Sequence, residues 1–518
     1  MSSRFQVNMV WEGALVGLIG GAIVTLYRLA LSGAEWLLRQ IIAYCTGDVM
    51  RVALWVVALL GILLVIGRLM LWEPYSVGSG IPQVDAEVMG KLDMPWHRVM
   101  ASKFAEGTLL SLAGLSLGRE GPAVQLGGMA GKAVSKGLSR GRGEERLLVT
   151  CGAGAGMAAA FHAPLTGVMF ALEEIHKTFS APLIISVMSS CIVADFLVSQ
   201  VIGIKPVLAF HFASDIPHID YWVLLIMGVV MGGLGAIHNV GMFASQAIYD
   251  KIKRGVPYLR LAVPFAVAAV IAFTAPDLLC GGDAIVELLE SGKLYPIGFL
   301  LALLIGKYLF TTVSFGSGAP GGTLFPLVVM GALAGSIFGT IAVNGLNLSS
   351  GYITNFMVLG IAGLFAGVVR SPVTAIVLVF ELTGSFDALL SLSIVSIVAY
   401  VTANLLKVDA FYEYLVARLL GLHEEDDKTP WTDDEKVLKT HVVEVGSYLV
   451  NKSIAEVDWP DSVLVVTVTR CGKDTVARGS LRFQALDRVM LIMDAECEDE
   501  AERKISSYCR GILGREGR

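Results

Sequence analysis

The stretch Gly118-Arg119-Glu120-Gly121-Pro122, running into the apolar piece Ala123–Val134, decides how this chain reads. It has the chemistry of a helix start set inside an apolar region. Glycines allow a tight backbone, and proline fits the first turn, where its missing N–H leaves no bond unmade. A helix beginning there points unpaired N–H groups and a positive dipole end inward. An ionised carboxylate at that depth, Glu120, is costly unless those groups stabilise it. Two further glycine-bracketed breaks share the design: Gly78-Ser79-Gly80-Ile81-Pro82 upstream and Gly316-Ser317-Gly318-Ala319-Pro320-Gly321-Gly322-Thr323-Leu324-Phe325-Pro326 downstream. Several such ends converging make an anion site without a full positive charge. A buried Arg or Lys would hold the ion too tightly to release it, so Arg119 is read as a structural partner rather than a ligand.

Outward from these breaks, the composition belongs to a polytopic membrane protein. Of 518 residues 55% are hydrophobic and only 16% charged, where a soluble chain carries about a quarter charged. Stretches long enough to cross are expected at Ala14–Leu38, Val52–Trp72, Pro182–Val201, Tyr221–Gln246, Leu261–Leu279, Ile297–Phe315 and Leu389–Leu406. The first is too long for a cleaved leader and reads as a span. Between them lie glycine-broken pieces: Leu109–Leu117, Ala123–Val134, Leu147–Ala160, Pro164–Leu172, Leu324–Val343, Phe356–Val369 and Pro372–Leu382. Many are too short to cross alone, since a span needs about 20 helical residues. Half-helices meeting inside the membrane are the expectation, because irregular backbone is tolerated there only where it is buried or lines a polar path. The net charge of −6 is a whole-chain sum and does not speak to the transported ion.

An internal repeat supports this plan. Ala163-Pro164-Leu165-Thr166-Gly167-Val168-Met169-Phe170-Ala171-Leu172-Glu173 is echoed by Ser371-Pro372-Val373-Thr374-Ala375-Ile376-Val377-Leu378-Val379-Phe380-Glu381. Duplicated halves are a common transporter plan, with the site at their interface. The similarity alone does not orient one half against the other. In the first copy Glu173 and Glu174 close the helix. Adjacent helical residues point about 100° apart, so one can face a polar route while the other is structural.

The three breaks, in this order and spacing, resemble those of the CLC family of chloride channels and chloride/proton antiporters, over nearly all of the chain to about Leu420. The resemblance implies an all-α homodimer with one pore per subunit, each subunit built from two inverted repeats with broken helices. It implies that Ser79 gives its hydroxyl to a central anion, that Thr323 and Leu324 give backbone N–H groups, and that Tyr412 gives a phenol hydroxyl. Tyr414 is the neighbouring alternative; spacing to Arg418 favours Tyr412. Leu324 stands where the family usually carries Phe, and a backbone contact survives that change. Glu120 becomes the gating and proton-transfer glutamate, plugging the anion path when charged and swinging away when protonated. Glu174 becomes the residue that takes protons from the cytoplasm. The implied function is chloride transport by chloride/proton antiport across the cell (inner) membrane.

After Lys407 the character changes. Glu424, Glu425, Asp426, Asp427 and Lys428 read as part of a solvated linker over 421–440, between a transport domain over 1–420 and a small cytosolic α+β domain over 441–518. Strands are expected at Val463–Thr469 and Arg488–Met493, with helical flanks at Ser453–Val457 and Glu498–Cys509. The run from Val443 to Ile492 is similar to the TrkA-C module of regulators of potassium conductance. That resemblance implies a dimerising domain and a small regulatory ligand, such as a cyclic dinucleotide; a dimer-stabilising role with no ligand is the alternative. Basic loops at Lys251, Lys253, Arg254 and Arg260 and at Lys132, Lys136, Arg140, Arg142 and Arg146 balance, so loop charge does not orient the chain.

Other functions fit less well. A passive voltage- or pH-gated chloride channel of the same fold remains the first alternative. A cation channel or transporter would need a carbonyl filter of the T-V-G-Y-G kind, which the membrane part lacks. An intramembrane enzyme would need a nucleophile or metal-ligand cluster beside Glu120 or Glu174, and none is present. The seven cysteines, Cys45, Cys151, Cys191, Cys280, Cys471, Cys497 and Cys509, show no metal or redox spacing. No cofactor, metal or nucleic acid is expected; the partners are chloride, protons, the bilayer and a second copy.

Overall fold

The computed structural model describes residues 3–203, 210, 212, 216–252, 257–346, 348–421, 436–444, 446–460, 462–470, 473–494 and 498–509. It divides into two compact units, Met1–Gly421 and Leu422–Arg518. Glu424 to Lys428, Lys253, Arg254, Cys471 and Cys497 lie outside the described residues.

The first unit is helical throughout. Its first half contains α1 (Ser3–Cys45), α2 (Val49–Trp72), α3 (Ile81–Val88), α4 (Trp96–Leu112), α5 (Glu120–Gly137), α6 (Arg142–Phe161), α7 (Pro164–Phe170) and α8 (Ala181–Ile202). The second repeats the order as α9 (Tyr221–Asp250), α10 (Pro257–Thr274), α11 (Asp283–Glu290), α12 (Ile297–Gly316), α13 (Leu324–Leu346), α14 (Tyr352–Val369), α15 (Pro372–Thr383) and α16 (Ala388–Leu405). Helix α17 (Phe411–Leu420) follows. Packing repeats too: α5 lies on α6 as α13 lies on α14, and α1 on α8 as α9 on α16. Among the described residues, nine helices are long and apolar enough to cross a membrane.

Two sets of hydrogen bonds show that the halves are inverted. Gly118 and Gly322 exchange backbone bonds in an antiparallel bridge, at 2.7 and 2.8 Å. The Glu381 carboxylate, at the end of α15, accepts from the Leu165 and Thr166 N–H groups at the start of α7, at 2.8 and 2.6 Å. Glu173, just past α7, returns the contact to Val373 and Thr374 at the start of α15, at 3.2 and 2.7 Å. Each copy's glutamate thus satisfies the orphan N–H groups of the other copy's helix. The repeat read in the sequence is a reciprocal pair of caps.

Some element lengths depart from expectation. The span read as Leu261–Leu279 ends at Thr274, because Pro276 lacks an N–H and forces Ala275 out of the helical region. Conversely, α13 and α14 run 23 and 18 residues, long enough to cross despite their glycines. Those glycines serve close packing rather than breakage. A Cβ on Gly360 would sit 2.4 Å from the Gly331 carbonyl oxygen, as one on Gly152 would sit 2.0 Å from that of Gly127 between α5 and α6.

The second unit is a four-stranded antiparallel sheet in the order β1-β4-β2-β3, with β1 (Lys436–Val442), β2 (Val463–Arg470), β3 (Lys473–Val476) and β4 (Arg488–Asp494). Helix α18 (Glu498–Cys509) contacts β1 and β4. Val465, Phe483, Leu491 and Ile505 share its core. Strand β1 opens inside the stretch read as linker; paired in register with β4, Val437 opposite Met493, it belongs to the sheet. Its mixed Lys/His/Thr pattern, typical of an edge strand, hid it from a search for apolar runs.

Candidate anion and proton site

The three glycine-rich breaks meet in space. Gly78 donates its N–H to the Gly318 carbonyl at 3.1 Å, and Gly321 donates to the Gly78 carbonyl at 3.0 Å. The first and third breaks are thereby knitted together, as the second and third are through Gly118 and Gly322. Each break also needs its glycines. Gly80, before α3, has φ of +98°, and a Cβ there would lie 2.6 Å from the Gln125 side chain. A Cβ on Gly121 would lie 2.4 Å from the Ser79 hydroxyl oxygen and 3.2 Å from Gly322 Cα. Ser79, Gly121 and Gly322 therefore touch, and helices α3, α5 and α13 all begin around them.

Glu120 is fully buried in the first turn of α5. Its carboxylate accepts the Phe325 N–H at 3.2 Å, in the first turn of α13. The Arg119 Nε lies 3.8 Å from the other carboxylate oxygen, too far for a hydrogen bond. The guanidinium instead stacks over the Phe325 ring, 5.1 Å from its centroid. Tyr412 is fully buried at the start of α17, with Ser79 and Thr323 as polar neighbours and both Glu120 and Glu174 in electrostatic reach. The Ser79 and Tyr412 hydroxyl oxygens are buried without a hydrogen-bond partner in the protein. Two buried O–H donors next to three helix starts suit an anionic acceptor, since a buried donor left unpaired is costly.

Of the residues singled out from sequence, Ser79, Glu120, Thr323, Leu324 and Tyr412 come together here. Glu174 sits apart, in the wide π-type turn Ala171–His176 that follows α7, accepting the Ser371 hydroxyl at 2.6 Å. Its neighbour Glu173 points to the α15 cap instead. His176 meets the Thr150 hydroxyl at 3.1 Å, and the His162 ring meets the Asp195 carboxylate at 2.8 Å.

Cavities approach the anion site from its two ends. One of about 430 Å³ reaches Ser79 and Gly318 and is lined by Arg260 and Arg418. Arg418 is held by Gln246 and Asp250, each at 2.6 Å, which fixes positive charge near the mouth. From the other end, a narrow cavity of about 30 Å³ reaches Gly118, Arg119 and Phe325. It shares Glu35 and Asp283 with a wider one of about 580 Å³. The two approaches have no lining residue in common, and the site lies between them.

Sequence reasoning missed three contributors. The Phe325 N–H, next along the chain from the Thr323 and Leu324 amides assigned to the anion, bonds the Glu120 carboxylate. Lys103 and Lys307 are fully buried, and each holds backbone carbonyls with its ammonium. Lys103 bonds Ser76 at 2.7 Å and Gly78 at 2.6 Å; Lys307 bonds Leu278 at 3.1 Å and Cys280 at 2.7 Å. A lone lysine inside an apolar helical stretch was the signal available for Lys307, whereas Lys103 stands among Arg98 and Glu106 in a more polar helix that gave no such signal.

Comparison with known proteins agrees in both units. Residues 61–404 match the model of the voltage gated chloride channel family, and 438–506 match that of the TrkA-C domain. The H(+)/Cl(−) exchange transporter ClcA of Vibrio cholerae serotype O1 is 32% identical over 433 residues, covering 80% of this chain and 90% of that protein. Its namesake in Vibrio parahaemolyticus is 32% identical over 436 residues, covering 81% and 91%. The crystal structure of a slow cyanobacterial Cl−/H+ antiporter shares the fold with a TM-score of 0.75 and 26% identity, over 80% of this chain and 99% of that one.

Proposed function

Since the chain belongs to the voltage gated chloride channel (CLC) family, we propose that it exchanges chloride for protons across a membrane that it crosses several times. The observation that carries this reading is the Glu120 carboxylate on the Phe325 N–H, beside the unpaired Ser79 and Tyr412 hydroxyls. A carboxylate and a chloride ion make the same demand on those donors, so they compete for one place. Ionised Glu120 occupies the N–H groups at the start of α13 and blocks the path. Protonated Glu120 loses its charge, lets go and leaves those groups to chloride. One proton taken up at Glu120 therefore admits an anion, and its loss expels one.

Chloride is held by the hydroxyls of Ser79 and Tyr412 and by the amides at the starts of α3 and α13, including those of Thr323 and Leu324. Glu174 supplies the protons. It is buried and hydrogen-bonded to Ser371, with Tyr412 in electrostatic reach of both it and Glu120, so proton and anion routes share Glu120 and part beyond it. The protein works as a homodimer in the cell membrane, with the C-terminal unit in the cytoplasm serving dimerisation and binding of a small regulatory ligand.

The test is flux through the purified protein in liposomes, with chloride and protons recorded together. An imposed chloride gradient drives protons uphill. Chloride movement with no proton movement would leave a passive channel as the function.

A further inference from the structure

Glu174 shares a cavity with a second carboxylate that stands in water. The cavity, of about 210 Å³, is lined by Glu174 and Ser371, by Lys177, Arg370 and Glu413, and by Glu173, whose carboxylate is taken up by the Val373 and Thr374 N–H groups. It is wide enough for several water molecules. Glu174 is 5% exposed, whereas the Glu413 side chain is 62% exposed. One space therefore joins a buried carboxylate to a solvated one.

Two segments distant in sequence build this arrangement. The turn carrying Glu174 ends at Lys177, whose backbone takes a φ of +52°. The Lys177 ammonium reaches the Glu413 carboxylate at 3.0 Å. Glu413 directly follows Tyr412 in the first turn of α17. The other charged groups facing this pair are Asp85 and Lys91 from α3 and the loop after it, Arg370 from the end of α14, Glu173 and Asp409.

We infer that Glu413 collects protons from water and passes them through this cavity to Glu174, with Lys177 as the residue that positions it. This rests on the reading of Glu174 as the proton acceptor. In the transfer, hydronium protonates the Glu413 carboxylate. The Glu413 O–H bond then breaks as an O–H bond forms on Glu174 through intervening water, and Glu413 returns to a carboxylate. Lys177 stays charged throughout. Its ammonium holds the Glu413 carboxylate at the cavity, at 3.0 Å, so the proton is released where Glu174 can receive it. A buried acceptor without a solvated donor would depend on rare direct encounters with hydronium at neutral pH.

The experiment uses the full chain in liposomes, with both fluxes measured across pH. Glutamine at 413 keeps a hydrogen bond to Lys177, so the fold is preserved. E413Q lowers proton flux about tenfold at neutral pH, less than the hundredfold or more of a direct acid–base group, while chloride flux stays within about twofold. The deficit closes at acid pH, where hydronium is abundant. K177M removes the contact that positions Glu413 and lowers proton flux at neutral pH in the same way, with chloride flux within about twofold. Unchanged proton flux in E413Q at neutral pH overturns the inference. So does an equal fall of both fluxes at every pH, which marks a structural role beside Tyr412. E174Q, run alongside, separates the two readings: if it leaves coupling intact, the role of Glu174 itself fails.

Discussion

The two halves of the membrane unit share a scaffold and differ in chemistry. Helices α5 and α13 both start at the third residue of a Gly-x-x-x-Pro frame, Gly118 to Pro122 and Gly322 to Pro326. The residue at that start is Glu120 in one half and Leu324 in the other. Helices α3 and α11 both begin after a left-handed glycine, Gly80 at φ +98° and Gly282 at +110°. Before it stands Ser79 in the first half and Gly281 in the second. The glutamate that caps the partner repeat is present twice, as Glu173 and Glu381; the next residue is Glu174 in one copy and Leu382 in the other. The buried lysines Lys103 and Lys307 are also common to both. Groups that hold the breaks in place are thus kept in duplicate, while the Ser79 hydroxyl and the Glu120 and Glu174 carboxylates occur once. A symmetric frame places helix starts from both sides on one point, and asymmetric side chains give that point its function.

The comparison can be broken most sharply at Glu120. Glu120→Gln or Glu120→Ala removes proton coupling, cutting proton flux by about a hundredfold or more, and the alanine variant keeps or raises chloride flux. Coupled exchange surviving in either would undo the asymmetry. Glu174→Gln is expected to lose proton transport while sparing chloride, read in the same paired-flux assay. The scaffold makes the opposite forecast, equal effects in the two halves. Lys103→Met and Lys307→Met each strand two buried carbonyls and cost about 2–5 kcal/mol, seen as matching drops in the thermal unfolding midpoint in detergent. Glu173→Gln and Glu381→Gln each weaken one cap by about 1 kcal/mol, and the two shifts should agree closely. Of similar size is Ser79→Ala, which removes one donor to the anion. It weakens chloride binding by about 1 kcal/mol, measurable by calorimetry on the purified protein, with no change in folding stability.

Much of this was legible in the sequence because glycine and proline act locally. The breaks at Gly78, Gly118 and Gly316 announce helix starts through backbone rules that need no tertiary context. The repeat ending in Glu173 and Glu381 was visible as a pattern, yet its meaning was not. Only contact across the halves shows that each glutamate caps the opposite helix. Spans were harder. Glycines that break a helix and glycines that let two helices approach look alike in a string, so α13 and α14 passed for short pieces. Strand β1 was hidden for a related reason: an edge strand draws its order from pairing with β4, not from its own composition.

By itself, the sequence determined that the chain is built for a membrane, that its helices start within it, and which residues carry a proton-exchangeable group at such a start. These follow from hydrophobicity and backbone freedom, which belong to single residues and short runs. Only the tertiary structure decided that the repeats are inverted, that the Phe325 amide is the one holding Glu120, and that Glu413 shares a cavity with Glu174. Those are relations between segments far apart in the chain, set by how helices pack, and packing depends on the whole set of neighbours at once.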